Sequence, residues 1–454
     1  MTRLAAALVC ALAASAAANG RPAATSTINF RPGAEQHVLA GMTFGVTRTD
    51  DDGATWRWMC EDAVRYGGMY DPDYAYSSSG AVFATTFIGL LVNRNGCTFD
   101  NSFFGEGKFV SSVTRGPDGA IFAGMVHPPD PAANDPGDSG IYKSTDDGMT
   151  FPTKASPAPV GTWWSSLEVA PSSAQRVYAT GYRLIPEGRA FELYRSNDGG
   201  ATWAPMTQTG LITTRNSTID IVGISKTNPD HVYLRISFQE ENAISDAIFR
   251  STTGGTAWTK IYDKPAELSF VVRANGDLIV GDREADVRVA RNPGTGTVTW
   301  EALVDPPTVN CLVENTAGEV WACTQNFNIP QVPSDDAGIM KSTDLVSWTK
   351  VLRFQEIDGP VECAPGTLQQ DKCVVGPPLQ WCSLRQMFGI PHNPTNCVDQ
   401  PLFDAPPSGD VTTVDFPPKD GCCDSNAAPK TSSLAISALV GMVLLRRRRR
   451  STPC

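Results

Sequence analysis

An eight-residue pattern, Ser-x-Asp-x-Gly-x-Thr-aromatic, recurs along this chain, and repetition at such a period commits a sequence to a stacked or circular array of similar units. The closest copies are Ser144–Phe151, Ser196–Trp203 and Thr49–Trp56, carrying Asp146, Gly148 and Phe151, then Asp198, Gly200 and Trp203, then Asp51, Gly53 and Trp56. Ser251–Trp258 keeps Gly255 and Trp258 but has Thr253 in place of the acid. Weaker copies close at Phe99, Trp300 and Trp348, the last with Asp344. The seven closing aromatics stand 42 to 55 residues apart.

Each copy is entered by an apolar strand, such as Gly140-Ile-Tyr-Lys143 or Ala247-Ile-Phe-Arg250. The aspartate suits a turn because its carboxylate accepts backbone N–H groups, and glycine supplies the positive φ of a tight hairpin. These segments resemble the Asp-box of sialidases, sortilin-type receptors and other bacterial propellers. The resemblance implies structural hairpins remote from the ligand, so Asp146 and Asp198 are not catalytic candidates.

Two further strands precede most copies, for example Ser111–Arg115 with Ala120–Met125 and Ile219–Ile224 with His231–Phe238. Two strands before the turn and one on either side make a four-stranded blade, and seven blades close a propeller. The expected architecture is therefore all-β: a seven-bladed propeller over residues 25–362. Blade 1 lacks a full first strand within 34–60, and strand-like sequence continues past Trp348, so the two ends of the domain should pair. Flanking it are a cysteine-rich module over 363–400, an extended linker over 401–421 and a short hydrophobic helix within the C-terminal tail.

Both ends carry addresses. Met1–Arg3, the apolar run Leu4–Ala14 and the small residues Ala16–Ala18 form a secretory signal peptide over 1–18. Residues 422–454 begin at Cys422, pass through the apolar stretch Leu434–Leu445 and reach five arginines, Arg446–Arg450. That order resembles the myxobacterial C-terminal sorting signal. It implies a processing protease acting near Cys422, delivery of the body to the cell surface, and membrane contact through the tail alone; the alternative is a tail kept as a weak anchor. Cys423 leaves open which cysteine is processed.

Export suits the cysteines. Cys60, Cys97, Cys311, Cys323, Cys363, Cys373, Cys382 and Cys397 are even in number, and none forms a C-x-x-C pair. Cys311 and Cys323 fall on successive strands of one blade and are expected to pair. Cys60 with Cys97 is the second expected pair, and the four cysteines of 363–400 have three possible pairings within their module.

The formal charge is −11, and without the polyarginine tail the body is more acidic still, which excludes a phosphate-neutralising nucleic-acid partner. Four scattered histidines argue against a cofactor metal, although Asp130, Asp135 and Asp138 supply the oxygen ligands calcium prefers.

Loop length points to the working face. Turns between first and second strands are tight, as in Gly116–Gly119, with Asp71–Gly80 as a long exception. The opposite face has long segments at 127–139, 153–162, 182–190, 207–218, 239–246 and 325–337. It carries the candidate ligand-binding residues Trp163, Trp164, Arg183, Glu187, Arg189, Arg215, Glu240, Glu241 and Arg283, with Glu284 nearby. Sialidase chemistry needs an arginine cluster and an acid. Phe30-Arg31-Pro32 is an incomplete version of the family's Phe-Arg-Ile-Pro segment, so Arg31 alone has motif support and no catalytic residue is assignable. The reading is a displayed propeller that binds a glycan or protein ligand without catalysis. A secreted glycoside hydrolase is the first alternative and an envelope scaffold the second.

Overall fold

The computed structural model describes residues 22–391, apart from 68–69, 102–103, 105–107, 241–242, 330–331 and 377–378, together with Cys397. The signal peptide, the linker, Cys422 and the rest of the tail lie outside the described residues. Seven antiparallel sheets follow one another along the chain, each a meander of four strands. The first strands of the blades neighbour one another in order around a ring, that of blade 7 (Cys311–Glu314) meeting that of blade 1 (Thr25–Phe30). The protein is a seven-bladed β-propeller.

The repeated turn explains why each blade folds locally. Ser144 Oγ donates to Asp146 Oδ1 at 2.7 Å and accepts the Gly148 N–H at 2.8 Å. Asp146 also accepts the Thr150 N–H and hydroxyl at 2.9 and 2.6 Å. The same bonds recur around Asp51 and Asp198. With so many donors, led by the threonine hydroxyl, the carboxyls of Asp146 and Asp198 are held down to about 2. Around Thr253, Gly255 N–H still reaches Ser251 Oγ at 2.9 Å.

These turns also lock blade to blade. Gly148 has φ +71°, and a Cβ there would lie 2.2 Å from the Phe83 ring of blade 2. Gly53 of blade 1 likewise abuts Val351 of blade 7. A basic side chain completes six of the seven joints. Lys143 donates to Gly199 O at 2.8 Å, Arg195 to Gly254 O at 2.6 Å and Arg250 to Gly296 O at 2.7 Å, each in the next blade. Arg48 and Arg94 do the same for blades 2 and 3, and Lys341 returns to Asp52 of blade 1. The apolar core accordingly lies between blades, as where Tyr178 and Leu193 of blade 4 pack with Ile221, Leu234 and Phe249 of blade 5.

Several expectations change. Blade 1 has its own first strand, Thr25–Phe30, upstream of the stretch in which it seemed to be missing. The ends of the domain do pair, but at the outer edge, where Gly359–Pro360 runs parallel to Arg57–Trp58 as a fifth strand. Asp71–Gly80 is not a long loop: Tyr74–Tyr76 is the buried first strand of blade 2, followed by a tight turn from Ser77 to Ala81.

The disulfides correct the expected C-terminal module. Cys311 and Cys323 are directly opposed across one ladder and bonded. Cys60 pairs with Cys373 and Cys97 with Cys363, however, and only Cys382–Cys397 stays within the C-terminal region. That region is therefore stapled to blades 1 and 2. The helix Gln380–Phe388 sets fully buried Trp381 against Trp58, with ring centroids 5.7 Å apart, and Phe388 against Phe44 and Phe354. Gln369, also fully buried, donates to Trp58 O at 3.0 Å. An apolar surface this large has to be covered, and the propeller edge covers it. Four disulfides are what an oxidising compartment permits.

Candidate functional site

The face that carries the turns between second and third strands holds a cavity of about 620 Å³. Its wall is drawn from the beginnings of inner strands in several blades, through Thr25, Asp71, Thr218, Ser269 and Asn310, which places it at the centre of the ring. Blade 5 supplies Arg235, Ser237 and Asp246, and blade 6 supplies Arg283.

Asp246 is 1% exposed. Its Oδ2 accepts the Leu268 N–H at 2.8 Å and stands 3.8 Å from Arg235 Nε, while Oδ1 has no hydrogen-bond partner among the described residues. Thr25 Oγ1, Asn310 Nδ2 and Arg283 Nε in the same wall are likewise buried and unpartnered. Such groups are rare in folded proteins because each forfeits its hydration without replacement. Their convergence on one cavity makes it the candidate site. Arg235 is anchored by Leu268 O at 2.9 Å and Asp220 Oδ2 at 3.3 Å. Burial nevertheless raises the Asp220 carboxyl, outweighing the arginine.

A row of aromatic side chains runs across blades 2, 3 and 4. Tyr70 meets Phe87 at 4.7 Å, Phe87 meets Phe109 edge-on at 5.8 Å, and Phe109 stacks on Trp163 at 5.7 Å with 12° between the planes. Phe87 is exposed and the other three are half-buried. Tyr70 directly precedes Asp71 of the cavity wall, although none of the four ring residues itself lines the cavity.

The residues expected from sequence divide. Trp163 belongs to the row. Trp164 does not, because it is buried between Gly124 and Tyr194 in the packing of blades 3 and 4. Arg283 lines the cavity. The stretch 182–190 is not a loose loop but the tip of two nine-residue strands joined at Pro186-Glu187, and 239–246 is the matching hairpin of blade 5. Arg183 is tied to Glu192 at 3.0 Å, and Arg189 lies over the Tyr182 ring at 4.1 Å while donating to Asn216 O and Ser217 O. These arginines brace the hairpin. Glu187 is exposed at its tip and Arg215 is exposed beside it. Glu241 and the side chain of Glu240 lie outside the described residues. Arg31 ends the first strand of blade 1 on the opposite face, away from the cavity. Asp135 is hydrogen-bonded to His127 at 2.6 Å and Asp138 to Lys154 at 2.6 Å. No group of three potential metal ligands occurs among the described residues.

Sequence reasoning missed Arg235, Asp246, Asn310 and Thr25. The available signal was a charge inside an apolar strand, as in Val232-Tyr-Leu-Arg235-Ile236. The same signal marks Glu168 on the inner strand of blade 4. Burial, helped by the nearby charge of Asp73, raises the Glu168 carboxyl to about 8, and burial raises Asp73 to about 6.

No family model matches the chain, and no curated protein matches it in sequence. Among solved structures it is similar to an ancestral GH74 enzyme at 16% identity and TM-score 0.49, covering 73% of this chain and 47% of that one. It is also similar to the GH74 xyloglucanase from Xanthomonas campestris, at 15% identity and TM-score 0.33, covering 75% of this chain and 65% of the xyloglucanase. A Hadza microbial sialidase matches at 14% identity and TM-score 0.37, with 62% and 65% covered. This chain thus spans about half to two-thirds of the lengths of these structures. At such identities the likeness is one of fold.

Proposed function

We propose that the protein is an exported carbohydrate-binding propeller, displayed at the cell surface through its C-terminal tail, with the repeated turns acting as Asp-boxes. The observation that carries this reading is a cavity with unpartnered donors and acceptors, supported by an aromatic row whose end residue Tyr70 adjoins the wall residue Asp71. Sugar rings present apolar C–H faces that stack on aromatic planes, and their hydroxyls both donate and accept hydrogen bonds. A wall containing an aspartate, an arginine, an asparagine and hydroxyls matches that mixture better than a purely anionic or apolar ligand would.

The test is a glycan array with wild-type protein, Trp163→Ala and Asp246→Asn, run beside fluorogenic glycosides that include a sialoside and a β-glucoside. Saturable glycan binding lost in both variants, without turnover, supports the proposal. Turnover of any of these glycosides by the wild-type protein would replace it with glycoside hydrolysis. Folded protein silent in both assays would sink the glycan reading.

A further inference from the structure

A second cavity, of about 380 Å³, opens on the opposite face between blades 1 and 2. Its charge runs against that of the molecule. In a chain of formal charge −11, four arginines (Arg31, Arg48, Arg57 and Arg94) line this cavity with a single carboxylate, Asp50.

The guanidinium groups are positioned mainly by carbonyl oxygens, which orient a charge without neutralising it. Arg31 donates twice to Ser78 O, at 3.2 and 3.0 Å, and Arg57 donates to Asp358 O at 3.4 Å. Neither has a carboxylate within ion-pair distance among the described residues. Arg48 donates to Gly96 O at 3.4 Å and is 3.6 Å from Asp50, which also bonds His37 at 2.7 Å. Arg94 is paired with Asp147 at 3.2 Å, outside the lining. Two glycines make room for these side chains: a Cβ on Gly80 would lie 3.0 Å from the Arg31 guanidinium, and one on Gly96 would lie 2.7 Å from that of Arg48.

The second observation is Tyr76. It is 9% exposed, it lines the cavity, and its hydroxyl has no hydrogen-bond partner among the described residues. The hydroxyl opens into the cavity, where it is available to donate to a ligand. Below it the floor is apolar, formed by Leu39, Val46, Met59 and Phe99.

We infer that this cavity binds a small molecule, or a terminal sugar residue, bearing a compact oxyanion: a carboxylate, sulfate or phosphate. Arginines hold such groups through paired N–H donors, and the Tyr76 hydroxyl adds a neutral donor. The volume exceeds that of a bare oxyanion, and the apolar floor accommodates the ring that carries it. This site shares no lining residue with the central cavity and does not depend on the glycan reading.

Calorimetric titration of the purified protein with sodium glucuronate, glucose 6-sulfate, glucose 6-phosphate and glucose tests it. At least one anionic ligand is expected to bind, glucose is not, and added sodium chloride weakens the binding. The favoured anion reports which oxyanion the site takes. Arg57→Gln and the conservative Tyr76→Phe each lower affinity by at least about fivefold, a difference of about 1 kcal/mol, with unchanged melting temperature. Trp163→Ala, in the other site, leaves the affinity unaltered. The inference fails if no anion binds, if glucose binds equally well, or if folded Arg57→Gln and Tyr76→Phe proteins bind as the wild type does. Loss of anion binding in Trp163→Ala would also overturn it, by moving the ligand to the central cavity.

Discussion

Arg235 Nε stands 3.8 Å from Asp246 Oδ2 in the wall of the central cavity, and the second oxygen of that carboxylate has no partner among the described residues. One half of Asp246 is thus committed to the fold and the other half is available. The arginine holds a buried negative charge in place, and removing it leaves that charge uncompensated. Arg235→Met is expected to destabilise the protein by about 3–5 kcal/mol, measured by urea unfolding. Asp246→Asn retains an acceptor for the Leu268 N–H and should be milder in stability while still losing ligand.

The aromatic row makes a separate demand. If sugar rings lie on it, Phe87→Ala should reduce glycan affinity about tenfold, equivalent to about 1.4 kcal/mol, with little change in melting temperature because Phe87 is 41% exposed. Trp164→Phe is the contrasting variant: it should destabilise the blade 3–4 joint and leave affinity intact in whatever protein remains folded. Equal loss of binding in both would show that the row acts only through folding.

The joints between blades predict a steric effect. Gly148 combines a positive φ with a 2.2 Å approach to Phe83, so Gly148→Ala meets both strain and overlap. A loss of about 1–3 kcal/mol is expected. Gly318→Ala is the control, having a positive φ but open space around the added Cβ, and should cost less. Thermal denaturation of the two variants separates the contributions.

Disulfides of very different span should differ in weight. Cys60–Cys373 joins positions 313 residues apart, whereas Cys311–Cys323 spans 12. Replacing both cysteines of the long pair by serine is expected to cost about 4–5 kcal/mol, against about 3 kcal/mol for the short pair, if constraint of the unfolded chain dominates. Equal losses in urea unfolding would refute that account.

Stability should depend on pH with opposite signs at the two ends. The Asp146 and Asp198 carboxyls lie below their ordinary value, so their stabilising effect is complete above about pH 4 and fades as pH falls toward 2. Glu168 and Asp73 lie above theirs. Their neutral forms favour the folded state at low pH, and that advantage disappears as pH rises through about 6 for Asp73 and about 8 for Glu168. Glu168→Gln should therefore raise the melting temperature at pH 8.5 relative to wild type and leave the acid limb unchanged. Identical profiles for the two proteins would contradict the assignment.

The turn motif was readable because its bonds are local. Ser144, Asp146, Gly148 and Thr150 satisfy one another within seven residues, so the blade count and the repeated hairpins follow from the chain alone. The projecting hairpins at 182–190 and 239–246 look like loops in sequence because Pro186 and Gly188 interrupt the first and the run of polar residues 239–242 interrupts the second. Pairing along the adjacent strand nevertheless extends each ladder to nine residues.

What the sequence determined by itself was periodicity: seven antiparallel units, the turn chemistry of each, and an even set of cysteines. What only the tertiary structure decided was which distant residues meet. Cys60 finds Cys373 rather than Cys97, because the C-terminal helix must bury Trp381 and Phe388 against the edge of blade 1. Arg235, Asp246, Arg283 and Thr25 come together because closing the ring brings the first strand of blade 1 to the same cavity as the second and third strands of blade 5 and the turn after the second strand of blade 6. Local bonds repeat with the sequence and can be read from it. A cavity shared by several blades exists only once the circle is complete.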